Sequence, residues 1–166
     1  MNSYLALGAM LFGLCFLAAG CKSSSPERAI KKTVVAEDFL LEHRRTPCFG
    51  TCPFFTVTVD ASGKVVYTGE MHVEKIGTYT KMIPESDVKR LVYTLKEGNF
   101  FELENEYDNE RITDLPSVIT KCRQNGTVKE VTNRYGAPDS VVALQQKIEA
   151  IIGDEGYVKV KEAETD

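Results

Sequence analysis

The sequence predicts an α+β fold: a mainly antiparallel sheet of about five to six strands with two helices packed on one face. Three observations carry that prediction. Segments such as Phe54-Phe55-Thr56-Val57-Thr58-Val59-Asp60 alternate in polarity and are rich in β-branched residues, the pattern of half-buried strands. Short turn signals, Asp60-Ala61-Ser62-Gly63 and Gln124-Asn125-Gly126-Thr127, join the strand-like segments, so hairpins dominate and the sheet is antiparallel. Two further segments carry apolar residues at helical spacing and stop at a glycine. They are Val88, Leu91, Val92 and Leu95 before Gly98, and Val141, Leu144, Ile148, Ile151 and Ile152 before Gly153.

The chain of 166 residues opens on a processing signal. Residues 4–19 are almost wholly apolar, a run whose length suits the core of a signal peptide better than a membrane span. The run closes on Leu17-Ala18-Ala19-Gly20-Cys21, which resembles the lipobox of bacterial lipoproteins. That resemblance implies cleavage before Cys21 and acylation of its thiol, so that several acyl chains hold the protein to a membrane without spanning it. An ordinary secreted protein cut nearby, or an uncleaved anchor, is the alternative. Lys22 follows Cys21 where a retention-type Asp would stand, and by resemblance to Gram-negative lipoprotein sorting this favours the outer membrane.

Residues 21–36 read as a polar tether, spanning roughly 20 Å at the scaling of a flexible chain. Residues 22–36 carry four basic residues against one acidic one, a net of +3. The whole chain has a net charge of −4, and no basic face emerges of the kind nucleic acid requires. A single domain is expected over residues 37–153, followed by a flexible acidic tail over 154–166 with little to bury.

Within the domain, Phe39-Leu40-Leu41-Glu42-His43-Arg44 reads as a first strand running into a loop. The strand of residues 54–60 pairs through the Gly63 turn with Lys64 to Gly69, and a third strand is expected over residues 73–82, split by Gly77. Pro84-Glu85-Ser86-Asp87 opens the first helix, with acids near the positive end of its dipole. Residues 102–114 are acidic and irregular. Residues 117–123 and 128–133 form a hairpin about Asn125-Gly126, and Ala137-Pro138-Asp139 opens the second helix.

The loop after the first strand, Thr46-Pro47-Cys48-Phe49-Gly50-Thr51-Cys52-Pro53, is the most constrained stretch of the chain. In an oxidising compartment Cys48, Cys52 and Cys122 are three candidates for one bridge. In the chain-entropy model a Cys48–Cys52 ring contributes only about 2 kcal/mol, and a bridge from the loop to Cys122 would approach 4 kcal/mol. Proximity favours Cys48–Cys52, because Cys122 lies in a strand pattern and reads as a small buried apolar residue. A redox dithiol needs its motif at a helix start, and here a strand follows. Two thiolates with His43 or His72 would suit Cu(I), although the copper-site proteins with this spacing also place a helix after the motif. The acidic stretch about Asp108 lacks the central Gly of an EF-hand loop. No phosphate loop, nucleophile elbow or triad context occurs, so no cofactor, metal or catalytic residue is expected.

The cysteine loop, the alternating strand and Gly63 turn, Thr113-Asp114-Leu115-Pro116, and Tyr135-Gly136-Ala137-Pro138 with the final helix together resemble one family. It is an uncharacterised bacterial domain family of unknown function, marked by Pro-Cys-x-Gly-x-Cys-Pro and recurrent in lipoproteins and secreted proteins. The resemblance covers most of residues 38–152 and implies that Cys48, Gly50, Cys52, Pro53, Asp114 and Pro116 match family positions, with no activity attached. The expectation is a membrane-anchored envelope lipoprotein whose non-catalytic domain binds a partner such as an envelope protein. The alternative is a thiol redox or Cu(I)-handling protein using Cys48 and Cys52.

Overall fold

The computed structural model describes residues 25–160. Its elements run α1 (Pro26–Lys32), β1 (Leu40–Arg45), β2 (Phe54–Asp60), β3 (Lys64–Met71), β4 (Gly77–Met82), α2 (Glu85–Glu97), a 3-10 turn (Phe100–Glu102), β5 (Glu106–Tyr107), β6 (Val118–Gln124), β7 (Thr127–Asn133), α3 (Asp139–Ile152) and β8 (Val158–Lys159). The mixed α+β class is as predicted. The sheet has eight strands rather than six, ordered β5-β7-β6-β1-β2-β3-β4-β8. The two additional strands have two residues each and cover the two edges, where unpaired backbone would otherwise face solvent. Neighbours are antiparallel except β5 and β7, which run parallel.

Register follows from side-chain parity. Leu41 pairs with Val59 and Cys122, and Val59 in turn with Val65, so a row of small apolar residues crosses the sheet on one face. All four are buried, and Val88, Leu91, Leu95, Val141 and Ile148 from the two long helices close over them. The opposite face carries Thr56, Thr58, Thr68, Thr78 and Thr80, all half-exposed, as expected of strand formers on a solvated surface. Among the described residues no helix is long and apolar enough to cross a membrane.

Three stretches depart from the sequence reading. Within the expected tether 21–36, Pro26–Lys32 is helical: Pro26 opens it, Glu27 sits in the first turn, and Lys31 and Lys32 sit in the last, complementing the dipole. After it Val35 packs against the core, so the folded unit starts earlier than residue 37. In the expected tail, Tyr157 packs against Tyr67 in a tilted pair with ring centroids 5.5 Å apart, which gives β8 something to bury and docks it on β4. The third expected strand begins only at Gly77. Residues 72–76 leave the sheet after His72, whose φ is +54°, and fold back over Gly69. Any side chain at Gly69 would run into the Lys75 carbonyl and the Val73 side chain, so glycine is required there by close approach.

Gly98 ends α2 as expected, but the left-handed residue is Asn99 at φ +47°. Gly98 is glycine because Leu144 of α3 lies against it, 3.0 Å from where a Cβ would sit. If Tyr157 holds the tail, Tyr157→Ala releases it. Amide exchange should then lose protection at Val160, whose N–H donates to the Thr78 carbonyl, while Cys122 and Val59 stay protected.

Candidate functional site

Because β1, β3 and β7 end where β2, β4 and β6 begin, the loops of residues 46–53, 72–76, 113–117 and 134–138 share one end of the sheet. That pole carries three of the four stretches that resemble family motifs, the cysteine loop, Thr113 to Pro116 and Tyr135 to Pro138, while the Gly63 turn lies at the opposite end of the sheet. Cys48 and Cys52 are joined there by a disulfide with a Cα–Cα separation of 5.6 Å. The Gly50 amide donates to Cys48 Sγ at 3.3 Å, which tightens the ring, and Phe49 at its tip is 95% exposed. Thr46 bonds Ser117 twice: its amide donates to the Ser117 carbonyl at 3.0 Å, and its hydroxyl accepts from the Ser117 amide at 2.7 Å. The cysteine loop and the Asp114-Leu115-Pro116 corner are thereby tied together. Asp114 is exposed with φ +62°, Pro116 is half-buried, and Gly50 and Pro53 are exposed. Cys21 lies outside the described residues. Cys122 is free and buried, and burial first, then the charge of Asp38, pushes its thiol up to about 12.

Beside the disulfide corner a groove of about 740 Å³ opens between α3 and the 72–76 loop. Phe55, Val57 and Tyr67 form its floor, Glu149 and Ala150 one wall, and Tyr157 closes its end. The rings of Phe55 and Tyr67 stack at 5.4 Å. Burial, then the neighbouring Tyr67 and Asp154, raises the Tyr157 hydroxyl to about 12, so it stays a hydrogen-bond donor. Lys81 lies over the Tyr157 ring at 4.2 Å while its ammonium donates to the carbonyls of Ile152, Gly153 and Glu155, which satisfies the end of α3.

The groove wall ends in a polar seam that runs through the core. Glu149 accepts from Arg45 twice, through Nε at 2.7 Å and Nη2 at 2.9 Å, and from His43 Nε2 at 2.8 Å. With Nε2 donating, His43 Nδ1 accepts from the Thr120 hydroxyl at 3.0 Å. Gln145 Nε2 donates to Thr120 Oγ1 at 3.3 Å and to the Val118 carbonyl at 3.1 Å, and Asn133 donates to Gln145 at 2.9 Å. Apart from the Gln145 bond to the Val118 carbonyl, the donors of the series point toward the Glu149 carboxylate. Burial opposes that charge, but the hydrogen bonds from His43 and Arg45 and the charge of Arg45 outweigh it and hold the carboxyl down at about 2.

Hydroxyl, imidazole and carboxylate in series are the residue types of a catalytic triad, yet His43 and Thr120 are 0% exposed, out of reach of any ligand. The seam is structural, and only Glu149, Arg45 and Asn133 reach the surface. It also occupies both nitrogens of His43, one of the two histidines that could complete a Cu(I) site. His72 lies instead on the groove rim. Among the described residues no group of three or more His, Cys, Asp or Glu side chains is arranged to hold a metal ion.

Sequence reasoning passed over this seam. Parity contained the signal: His43 and Arg45 follow Leu41 at period two, which puts both on the core face, and Gln145 and Glu149 flank the buried Leu144 and Ile148.

Fold and site together define an α+β domain with a disulfide-stapled corner and an aromatic-floored groove at one pole. The chain belongs to the family described as a domain of unknown function, DUF6438, whose profile matches residues 40–152. No curated protein matches the sequence.

Three outcomes follow at this site. Glu149→Ala strands the donors of His43 and Arg45, and urea unfolding should show a loss of about 2–3 kcal/mol. Because folding lowers the Glu149 pKa, its contribution is complete above the ordinary carboxylate range. It disappears as pH falls from about 4.5 toward about 2, and Glu149→Gln should lose that acid-dependent component. Replacing both loop cysteines by serine should cost about 2 kcal/mol in the same assay, the loop entropy of so small a ring. A double variant as stable as wild type would show that the bridge does not staple the corner.

Proposed function

We propose that this chain is a lipoprotein of the bacterial cell envelope, anchored through acylated Cys21 in the outer membrane, whose non-catalytic domain binds an envelope protein at the motif pole. The groove carries the reading. Its apolar floor of Phe55, Val57 and Tyr67 lies open beside a stapled loop, and the charged Glu149 side chain forms part of its wall. Pockets that combine an aromatic floor with a few convergent polar groups are typical binding sites. Large apolar side chains exposed around the same pole extend the surface: Phe49, Met71, Ile76, Leu115 and Tyr135 are between 36% and 95% exposed. Clusters of this kind mark docking surfaces more often than solvated ones. A partner would seat a side chain or short segment in the groove and cover the exposed apolar loops around it.

In-cell photocrosslinking tests this. A benzophenone amino acid at Gln146, on the groove wall, should give a discrete adduct, and the same group at Thr80 on the open sheet face should not. Ala150→Trp fills the groove from an exposed helix position and should abolish the adduct without unfolding the domain. An adduct that survives Ala150→Trp, or equal adducts from both faces, would reject the groove as the binding site.

A further inference from the structure

The motif pole has an opposite, and α1 lies there. The chain enters β1 at Leu40, the end remote from the cysteine loop, and Leu40 pairs with Asp60 and Arg123 beside the two hairpin turns of that far end. The Asp38 carboxylate accepts from the amides of Asn125 and Gly126 at 2.8 and 2.7 Å, and this pins the entry point to the far turn. Residues Lys32, Thr33 and Val34 lie beside Val92, Leu95 and Phe100 at the same end. The six residues of β1 separate the two poles by roughly 17 Å.

Only four residues, 22–25, lie between Cys21 and the first residue of α1. Fully extended, that link reaches at most about 18 Å, so an acyl anchor at Cys21 holds α1 against the bilayer surface. The surface it would present is suited to that position. Arg28, Lys31 and Lys32 are exposed on α1 against a single acid, Glu27, and Val34 beside them is 81% exposed. Clustered basic side chains next to a membrane anchor are attracted to anionic headgroups, and an exposed aliphatic side chain among them can enter the headgroup layer.

We infer that the α1 pole is a membrane-docking surface for anionic lipid headgroups, so that the domain stands on its bilayer with the disulfide corner and groove facing away. The inference rests on the reading of Cys21 as the anchor. In the full-length protein purified from membranes, the thiol of Val34→Cys labels one pole, and Ile76→Cys or Tyr135→Cys labels the other. Among the described residues Cys122 is buried and the loop cysteines are bridged, and a cleaved chain acylated at Cys21 adds no free thiol, so once intact mass has shown that modification a fluorescent maleimide reports the introduced thiol. In vesicles of phosphatidylethanolamine and phosphatidylglycerol containing a headgroup-labelled acceptor, energy transfer from position 34 should exceed that from positions 76 and 135 several-fold. Lys31→Glu with Lys32→Glu should narrow the difference, and so should replacing phosphatidylglycerol by phosphatidylcholine. Equal transfer from both poles, or greater transfer from position 76, would overturn the docking surface. Intact mass of the same preparation separates the two failures. An acylated Cys21 with equal transfer removes only the orientation, whereas an unmodified Cys21 removes the anchor and the orientation together.

Discussion

Glu149 is the point on which the helix layer and the sheet agree. Its carboxylate takes three charge-assisted bonds from β1, and four residues earlier on the same helix Gln145 bonds β6 and receives Asn133 of β7. Apolar packing between a helix and a sheet tolerates sliding, because one aliphatic contact resembles the next. A directed series of hydrogen bonds does not, since a shift of one residue strands buried donors at a cost of about 1–3 kcal/mol each. The seam thus fixes where α3 crosses the sheet, and with it the wall of the groove.

The same crossing explains why the motif pole has a defined shape. Arg45, at the end of β1, is held by Glu149, and the next residue, Thr46, is held by Ser117. The cysteine loop therefore leaves the sheet from two anchored positions, and the disulfide removes the freedom that remains. On the other side, Gly69 lets residues 72–76 fold onto β3 and form the facing wall. Neither wall owes its position to a flexible connection.

Much of the fold was legible in the sequence, for identifiable reasons. Six strands and both long helices stand within one to four residues of where alternation, Pro84, Pro138 and the terminal glycines put them, because each has a periodic buried face. The two-residue strands were not legible, since two residues have no period. Helix α1 was hidden by its polar composition: it has no buried residue of its own. The seam was hidden by residue type, because His43, Gln145 and Glu149 look like surface residues until the parity of the neighbouring apolar positions assigns them inward. Cys122 was legible by that same parity. The groove was legible only as its corner, because Tyr67, Glu149 and Tyr157 lie far apart in sequence and meet only after folding.

Stability accounts for the bridge at the pole but not for the residue at its tip. The Cys48–Cys52 ring contributes about 2 kcal/mol by constraining the unfolded chain, whereas Phe49 touches solvent over nearly all its surface. A corner shaped only to brace β1 against β6 needs Thr46 and Ser117, and an aromatic residue held outward adds nothing to that brace. Holding an exposed ring in one place reduces the ordering cost of burying it later against a partner. The stapled loop, the groove beside it and the apolar residues on the neighbouring loops are consistent with a surface preorganised for contact, at the pole farthest from α1.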